Sequence, residues 1–391
     1  MYVLLILAAA CQPLASPTSL TATLVQTHQH TTVALPSEAP IPVLTQTPRT
    51  ATPQVLPSTT ATLDNVAEEI DAYLNFLVEA NSFSGAVLVA QHSQILLSKG
   101  YGLANRAQGV LNTPQTRFHI CSITKQFTAM GVLILQDQAK LSVNDPICGF
   151  LPECPSAWEG ITIHHLLTHT SGILDFVDLP DYESSKSLPT TPIQLIARFR
   201  DKPLQFDPGM RWQYSNSGYI ILGYIIEQVS GQEYGAFIQD NIFDALRMNN
   251  SGYGYNLDVL ATGYTGTGNN WSEAEYIDES VPYAAGALYS TVEDMYRWDQ
   301  ALHTGQLIKQ ESLDAIFTPY AGSPIGDYGY GWFITNKHHR RVVRHGGGGD
   351  GFITVIERYP DDRVTLILLS NRETADIGTI TDTIAEMIFR E

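Results

Sequence analysis

The stretch FHICSITKQFTAMGVLILQD, residues 118–137, sets a serine three residues before a lysine at the mouth of an apolar run. On a helix, positions three apart share a face, so Ser122 and Lys125 would hold a hydroxyl and an amine within mutual reach. Lysine is a poor base while protonated, but burial or a neighbouring positive group lowers its pKa, and the desolvated amine can then accept the serine proton. If Ser122 opens the helix, free backbone N–H groups there favour negative charge developing on a substrate oxygen. The same residues also read as an ordinary N-cap serine followed by a solvent-exposed lysine. Cys121 stands four residues before Lys125 and would share its face, either as a thiolate nucleophile or as a small buried residue. No other lysine of the chain has a serine three residues before it.

Around this stretch the hydrophobic pattern alternates between strand and helix. A helix is expected over 63–80, with apolar residues at Val66, Ile70, Leu74 and Leu77 or Val78. SGAVLVAQHSQILLSKGYGLA then reads as a hairpin turning at 91–94. Four further strands are expected far downstream in YGYGWFIT, RRVVRHGG, GFITVIERYP and RVTLILLS, followed by a helix over 375–390. Between the two strand regions lie helices near 161–169, 192–199, 217–229 and 234–242, the third ending on Ser230-Gly231. Strands at both ends, with helix and loop between, imply an α+β fold (an α/β sandwich): one antiparallel sheet flanked by helices, interrupted by an inserted, mainly helical subdomain.

A serine–lysine pair needs a second proton-transfer group and a seat for the substrate carbonyl. PGMRWQYSNSGYIILGYIIEQVSG supplies Tyr214 and Asn216 after a Pro208-Gly209 turn and before an apolar helix. A phenol beside a lysine ammonium loses its proton more easily and can act as general base. Asn216 can donate to a substrate amide oxygen and accept from Lys125. A satisfied core tyrosine and a turn asparagine would look the same, and Tyr73/Asn75 repeats the pattern on the first helix. The third element is VVRHGGGGDGFITVI. Its four glycines suit a flexible hairpin, or a strand edge that a ligand approaches closely, with His345 as a titratable donor at that edge.

In this order and combination, and together with ITIHHLLTHTSGI and YAAGALYSTVEDMYRW, these motifs resemble a family of serine hydrolases. It includes class C β-lactamases, low-molecular-weight penicillin-binding proteins, D-amino-acid peptidases and related esterases. The resemblance covers residues 63–391 and implies the β-lactamase/transpeptidase-like fold, with the cleft between sheet and helical subdomain. It implies that Ser122 is the acylated nucleophile, Lys125 its proton partner, and Tyr214 the general base with Asn216 beside it. His345 to Gly347 match a motif that is usually Lys-Thr-Gly in β-lactamases, and the backbone N–H groups of Ser122 and Gly348 would form the oxyanion hole. Histidine is largely neutral at pH 7. Its presence in place of lysine weakens the expectation of efficient β-lactam hydrolysis and favours esters, amides or D-peptides with less demand for carboxylate binding. The implied function is an extracytoplasmic hydrolase working through an acyl-enzyme (D-Ala-D-Ala carboxypeptidase, D-peptidase or esterase-like, with at most weak β-lactamase activity). The alternative is a penicillin-binding or sensor protein acylated without turnover. Neither metal nor organic cofactor is expected.

The whole chain is consistent with that class. Its 391 residues carry a net charge of −18, which argues against nucleic acid or anionic lipid as partner, yet only 16% are charged. MYVLLILAAACQP is too short an apolar run to cross a bilayer and reads, over residues 1–11, as a secretory or lipoprotein-type segment with Cys11 as a lipid anchor. Residues 12–62 are rich in Thr and Pro, with Glu38 and Arg49 as the only charges, and read as a disordered linker. Cys148 and Cys154 flank PICGFLPECP, where they either bond or remain two buried thiols. His165 and His169 have metal-like spacing but lack the intervening Glu of a zincin and are read as structural. No Gly-x-Ser-x-Gly pentapeptide occurs, which removes the α/β-hydrolase alternative. Substrate identity and oligomeric state are not legible.

Overall fold

The computed structural model describes residues 59–254 and 260–390. The expected leader at 1–11, its Cys11 anchor and most of the 12–62 linker lie outside the described residues. Helix α1 spans Thr59–Glu79, so it begins four residues before the expected start, inside the stretch read as linker.

Among the described residues, eight strands form one sheet: β1 (Gly85–Gln91), β2 (Gln94–Tyr101), β3 (Ala321–Ser323), β4 (Gly326–Tyr328), β5 (Phe333–Lys337), β6 (Arg340–Gly349), β7 (Phe352–Tyr359) and β8 (Val364–Ser370). The order is β3-β4-β5-β6-β7-β8-β1-β2, and every neighbouring pair is antiparallel. β1 pairs with β8 along its whole length, so the two sequence-distant strand regions close into one sheet across the helical insertion, as expected. The hairpin at 91–94 turns on His92 and Ser93, with φ of +51° and +64°.

Alternation along the strands decides what lies on each face. Val87, Val89, Leu366 and Leu368 pack with α1 and the C-terminal helix, while Ala86, Leu88, Ile367 and Leu369 face the insertion. β1 therefore reads as a continuous apolar run, because it is covered on both sides. Helix α2 (Thr124–Asp137) runs through the centre of the insertion and is buried on every side from Thr124 to Leu135, which explains its lack of a polar face. Helix α3 (Asn216–Ser230) packs beside it and ends on Gly231 in the left-handed region, φ +73°. The C-terminal helix α4 spans Ile377–Phe389.

Two strand expectations are refined. YGYGWFIT is not one strand but the end of β4 and the start of β5, interrupted where Gly331 (φ +80°) passes α2; a Cβ there would lie 2.9 Å from the Lys125 carbonyl oxygen. The four glycines are not the hairpin turn. They complete β6, and the turn is Asp350-Gly351, φ +22° and +89°. Cys148 and Cys154 form a disulfide.

Candidate active site

Every residue from Phe118 to Leu135 is buried except Ser122. The chain reaches it through a short strand, Phe118–His119, paired with Leu288–Ser290, and then a 3-10 turn, Cys121–Ile123, that leads into α2. Cys121 adopts φ +48°, a conformation strained for a non-glycine residue, and so turns the next side chain outward. Thr354 of β7 donates to the Ile120 carbonyl at 3.0 Å, pinning this turn to the sheet. Gly347 of β6 lies directly beneath; a Cβ on it would stand 2.4 Å from the Ile120 oxygen and 2.9 Å from Cys121 Cβ. Close approach is why glycine is needed there.

The Lys125 Nζ is fully buried and has three neighbours: Ser122 Oγ at 3.1 Å, Asn216 Oδ1 at 2.8 Å and the Ala285 carbonyl at 2.9 Å. Burial pulls its pKa down to about 7, against opposing attraction from Asp175 and the Cys121 sulfur. Two of the three neighbours, the amide oxygen and the backbone carbonyl, can only accept. A neutral amine would therefore point its two hydrogens at Asn216 and Ala285, and its lone pair at the serine hydroxyl.

Tyr214 sits just before α3 with its ring 4.8 Å from Lys125 Nζ, and it shares a side-chain hydrogen bond with Ser122. Burial pushes its phenol well above the usual range, with the Ser122 bond pulling the other way. Desolvation therefore works against the easily ionised phenol expected from the sequence, and Lys125 is itself drawn toward the neutral form. The thiolate alternative also falls, since burial pushes the Cys121 thiol up to about 12.

Asn216 accepts from Lys125 and donates to Asp175 Oδ2 at 2.9 Å, so part of its expected donor capacity toward substrate is occupied within the protein. Asp175 is buried; burial raises its pKa, opposed first by Asn216 and then by Lys125. The sequence reading missed Asp175 and the Ala285 carbonyl. An acid in the apolar run GILDFV was a usable signal for the first, whereas a backbone carbonyl carries no side-chain signature.

The expectation for His345 is corrected most. It is 2% exposed and does not line the cleft. Its Nδ1 lies 2.6 Å from the Gly346 carbonyl and its Nε2 3.1 Å from the Tyr328 hydroxyl. A carbonyl only accepts, so Nδ1 carries the proton and Nε2 accepts from Tyr328. Both ring nitrogens are thus engaged internally, and burial lowers the pKa to about 3, so the ring is neutral. Gly348 is exposed and lines the cleft together with Ser122 and Asn216; a Cβ added to it would meet nothing within 4 Å. Among the described residues, β6 pairs only with β7 beyond Arg344, which leaves its other edge open as expected for a substrate-facing strand. The cleft holds about 130 Å³, and Phe176, Tyr182 and Ile277 also line it.

Two histidine readings are settled by geometry. His165 Nδ1 accepts from the Thr162 N–H in a helix-capping pair, and His169 Nδ1 accepts from the Ser215 N–H beneath the Tyr214 ring. Among the described residues no group of acids, histidines or cysteines is arranged to hold a metal. In the second Tyr-x-Asn pair, on α1, Tyr73 is half-buried against the core and the exposed Asn75 donates to the Asp71 carbonyl.

An antiparallel sheet, a helical insertion and a serine–lysine–tyrosine cluster between them make this a β-lactamase/transpeptidase-like serine hydrolase. A profile of the family described as Beta-lactamase matches residues 64–386, and the chain belongs to that family. Penicillin-binding protein 4* of Bacillus subtilis (strain 168) is 32% identical over 331 residues, covering 79% of this chain and 72% of that protein. Among solved structures, a penicillin-binding protein from Bacillus halodurans superposes with a TM-score of 0.71 at 27% identity, covering 82% of this chain and 98% of that one. The octameric penicillin-binding protein homologue from Pyrococcus abyssi gives 0.71 at 27% identity, over 85% and 77%.

Proposed function

We propose that the protein is an extracytoplasmic hydrolase that cleaves an ester or amide through an acyl-enzyme on Ser122. The observation that carries this reading is the setting of Lys125: a buried amine with two acceptor-only neighbours and the serine hydroxyl as its third. The neutral amine takes the Ser122 proton as Oγ attacks the carbonyl carbon. The oxyanion then sits against the backbone N–H groups of Ser122 and Gly348. Tyr214, held protonated by burial, passes its proton to the leaving group and is reprotonated from the Lys125 ammonium, so the cluster returns to its starting charge. Water attacks the ester by the reverse relay and releases the acid. Asp175, through Asn216, fixes the orientation of the amine. The base role expected for the tyrosine thus passes to the lysine.

Simple esters, amides and D-peptides are its substrate classes. The Cys148–Cys154 bond supports a compartment outside the cytoplasm, where disulfides persist. A lipid anchor through Cys11 belongs to the same reading.

The test is intact-protein mass spectrometry after exposure to a fluorophosphonate and to a penicillin, followed over time. Ser122→Ala should abolish both adducts and all turnover while its circular dichroism and melting point stay those of the parent. A penicillin adduct that decays marks a hydrolase, and one that persists marks an acylated sensor. Turnover retained in Ser122→Ala would end the assignment.

A further inference from the structure

The charge lining the cleft carries a statement about substrate. Next to the chamber at Ser122 lies a second of about 310 Å³, and the two share Ile277 and Asp350 as common walls. Among the described residues, neither chamber is lined by a lysine or arginine; the acids on their walls are Asp350, Glu273 and Glu275. The nearby histidines do not alter this balance: burial draws His119 and His345 down to about 3.

Two lysines lie near the cleft, and both are engaged. Lys125 contacts Ser122, Asn216 and Ala285. Lys186 stands behind the rim and bridges Glu183 at 2.8 Å, Asp350 at 3.2 Å and Glu275 at 3.4 Å. One ammonium shared by three carboxylates leaves the rim negative. Asp350 is the member of this set that faces the reacting centre. It directly follows Gly349, where a Cβ would lie 3.9 Å from Cys121 Sγ, and its charge raises the pKa of Cys121 and of Tyr182. A substrate carboxylate entering here would meet like charge in a partly desolvated space with no cation to receive it, whereas an ammonium would find an acceptor.

Resting on the acyl-enzyme reading above, we propose that the site takes cationic substrates: esters or amides bearing a protonated amine beside the scissile carbonyl, with Asp350 as the residue that selects the amine and turns away carboxylates.

The experiment measures the second-order rate of Ser122 modification by diphenyl (1-aminoethyl)phosphonate with its amine free, N-acetylated or N-succinylated, both enantiomers of each. Oγ attacks phosphorus, phenoxide departs and takes up the serine proton, and the mass gain is read on the intact protein with Ser122→Ala as blank. The expected order is free amine, then acetyl, then succinyl, each step about tenfold, which is a difference of about 1.4 kcal/mol. Raising the salt should shrink the spread. Asp350→Asn should bring the free-amine to acetyl ratio near one. Lys186→Met, which leaves Asp350 without its internal ammonium, should widen that ratio, and the two variants moving in opposite directions separates selection from misfolding. Equal rates, or succinyl fastest, would overturn the inference while leaving Ser122 as nucleophile. Failure of all three reagents and of a neutral fluorophosphonate would instead remove the acyl-enzyme reading, and this inference with it.

Discussion

Lys125 is where burial becomes chemistry. The amine acts only when neutral, and desolvation brings its pKa to about 7, so kcat/KM should rise with pH through that region as the ammonium loses its proton. Lys125→Arg keeps a cation that stays protonated at any accessible pH. It should lower kcat/KM by about 10²–10⁴-fold and abolish the rising limb; a pH–rate profile on a neutral ester checks both. An unchanged limb in that variant would assign the titration elsewhere. The pairing of Ser122 with Lys125 was legible from their spacing, because i and i+3 meet on any helical turn. The protonation state of Tyr214 was not. It depends on how much water the surrounding rings exclude, among them His169 at 4.3 Å and His345 at 6.3 Å, and those neighbours come from separate segments.

Strand β6 shows how one element serves packing and access at neighbouring positions. Gly347 faces inward beneath the serine turn, whereas Gly348 opens on the cleft. Gly347→Ala must displace Ile120 or Thr354 and should destabilise the protein by about 1–3 kcal/mol, with slower labelling of Ser122 as the turn shifts. Gly348→Ala meets nothing within 4 Å and should keep the parent melting temperature. Thermal melts of the two variants side by side, with fluorophosphonate labelling rates, test the distinction; equal melting temperatures would contradict the packing account. The glycine run was visible in the sequence, but four identical residues do not reveal that they continue a strand and that the turn falls on Asp350-Gly351.

Across the molecule, the helical insertion is fastened to the sheet by a buried ion pair. Asp299, on the helix Val292–Ala301, receives the guanidinium of Arg358 from β7 and the Thr365 hydroxyl of β8 at 2.9 Å. Both charged side chains are almost wholly inaccessible. Removing one partner leaves the other charged and unpaired, so Asp299→Ala should cost about 3–5 kcal/mol, read as a fall in denaturant midpoint. Because this pair joins the insertion to the sheet, the same variant should lose Ser122 labelling at temperatures where the parent still reacts. A change in stability under 1 kcal/mol would mean that the junction is held by apolar packing alone.

The sequence by itself determined the alternation of strand and helix, the closure of terminal strands around an insertion, and the order of three motifs with their serine, lysine and tyrosine. These follow from period, turn chemistry and short-range spacing, all of which are local. Only the tertiary structure decided which amine hydrogen meets which acceptor, that Asp175 stands behind Asn216, that His345 turns inward to Tyr328, and that, among the described residues, the charged side chains lining the two chambers are acids. Desolvation and Coulomb fields act through space between segments far apart in the chain, so the charge of each group was set by neighbours that the linear order does not display.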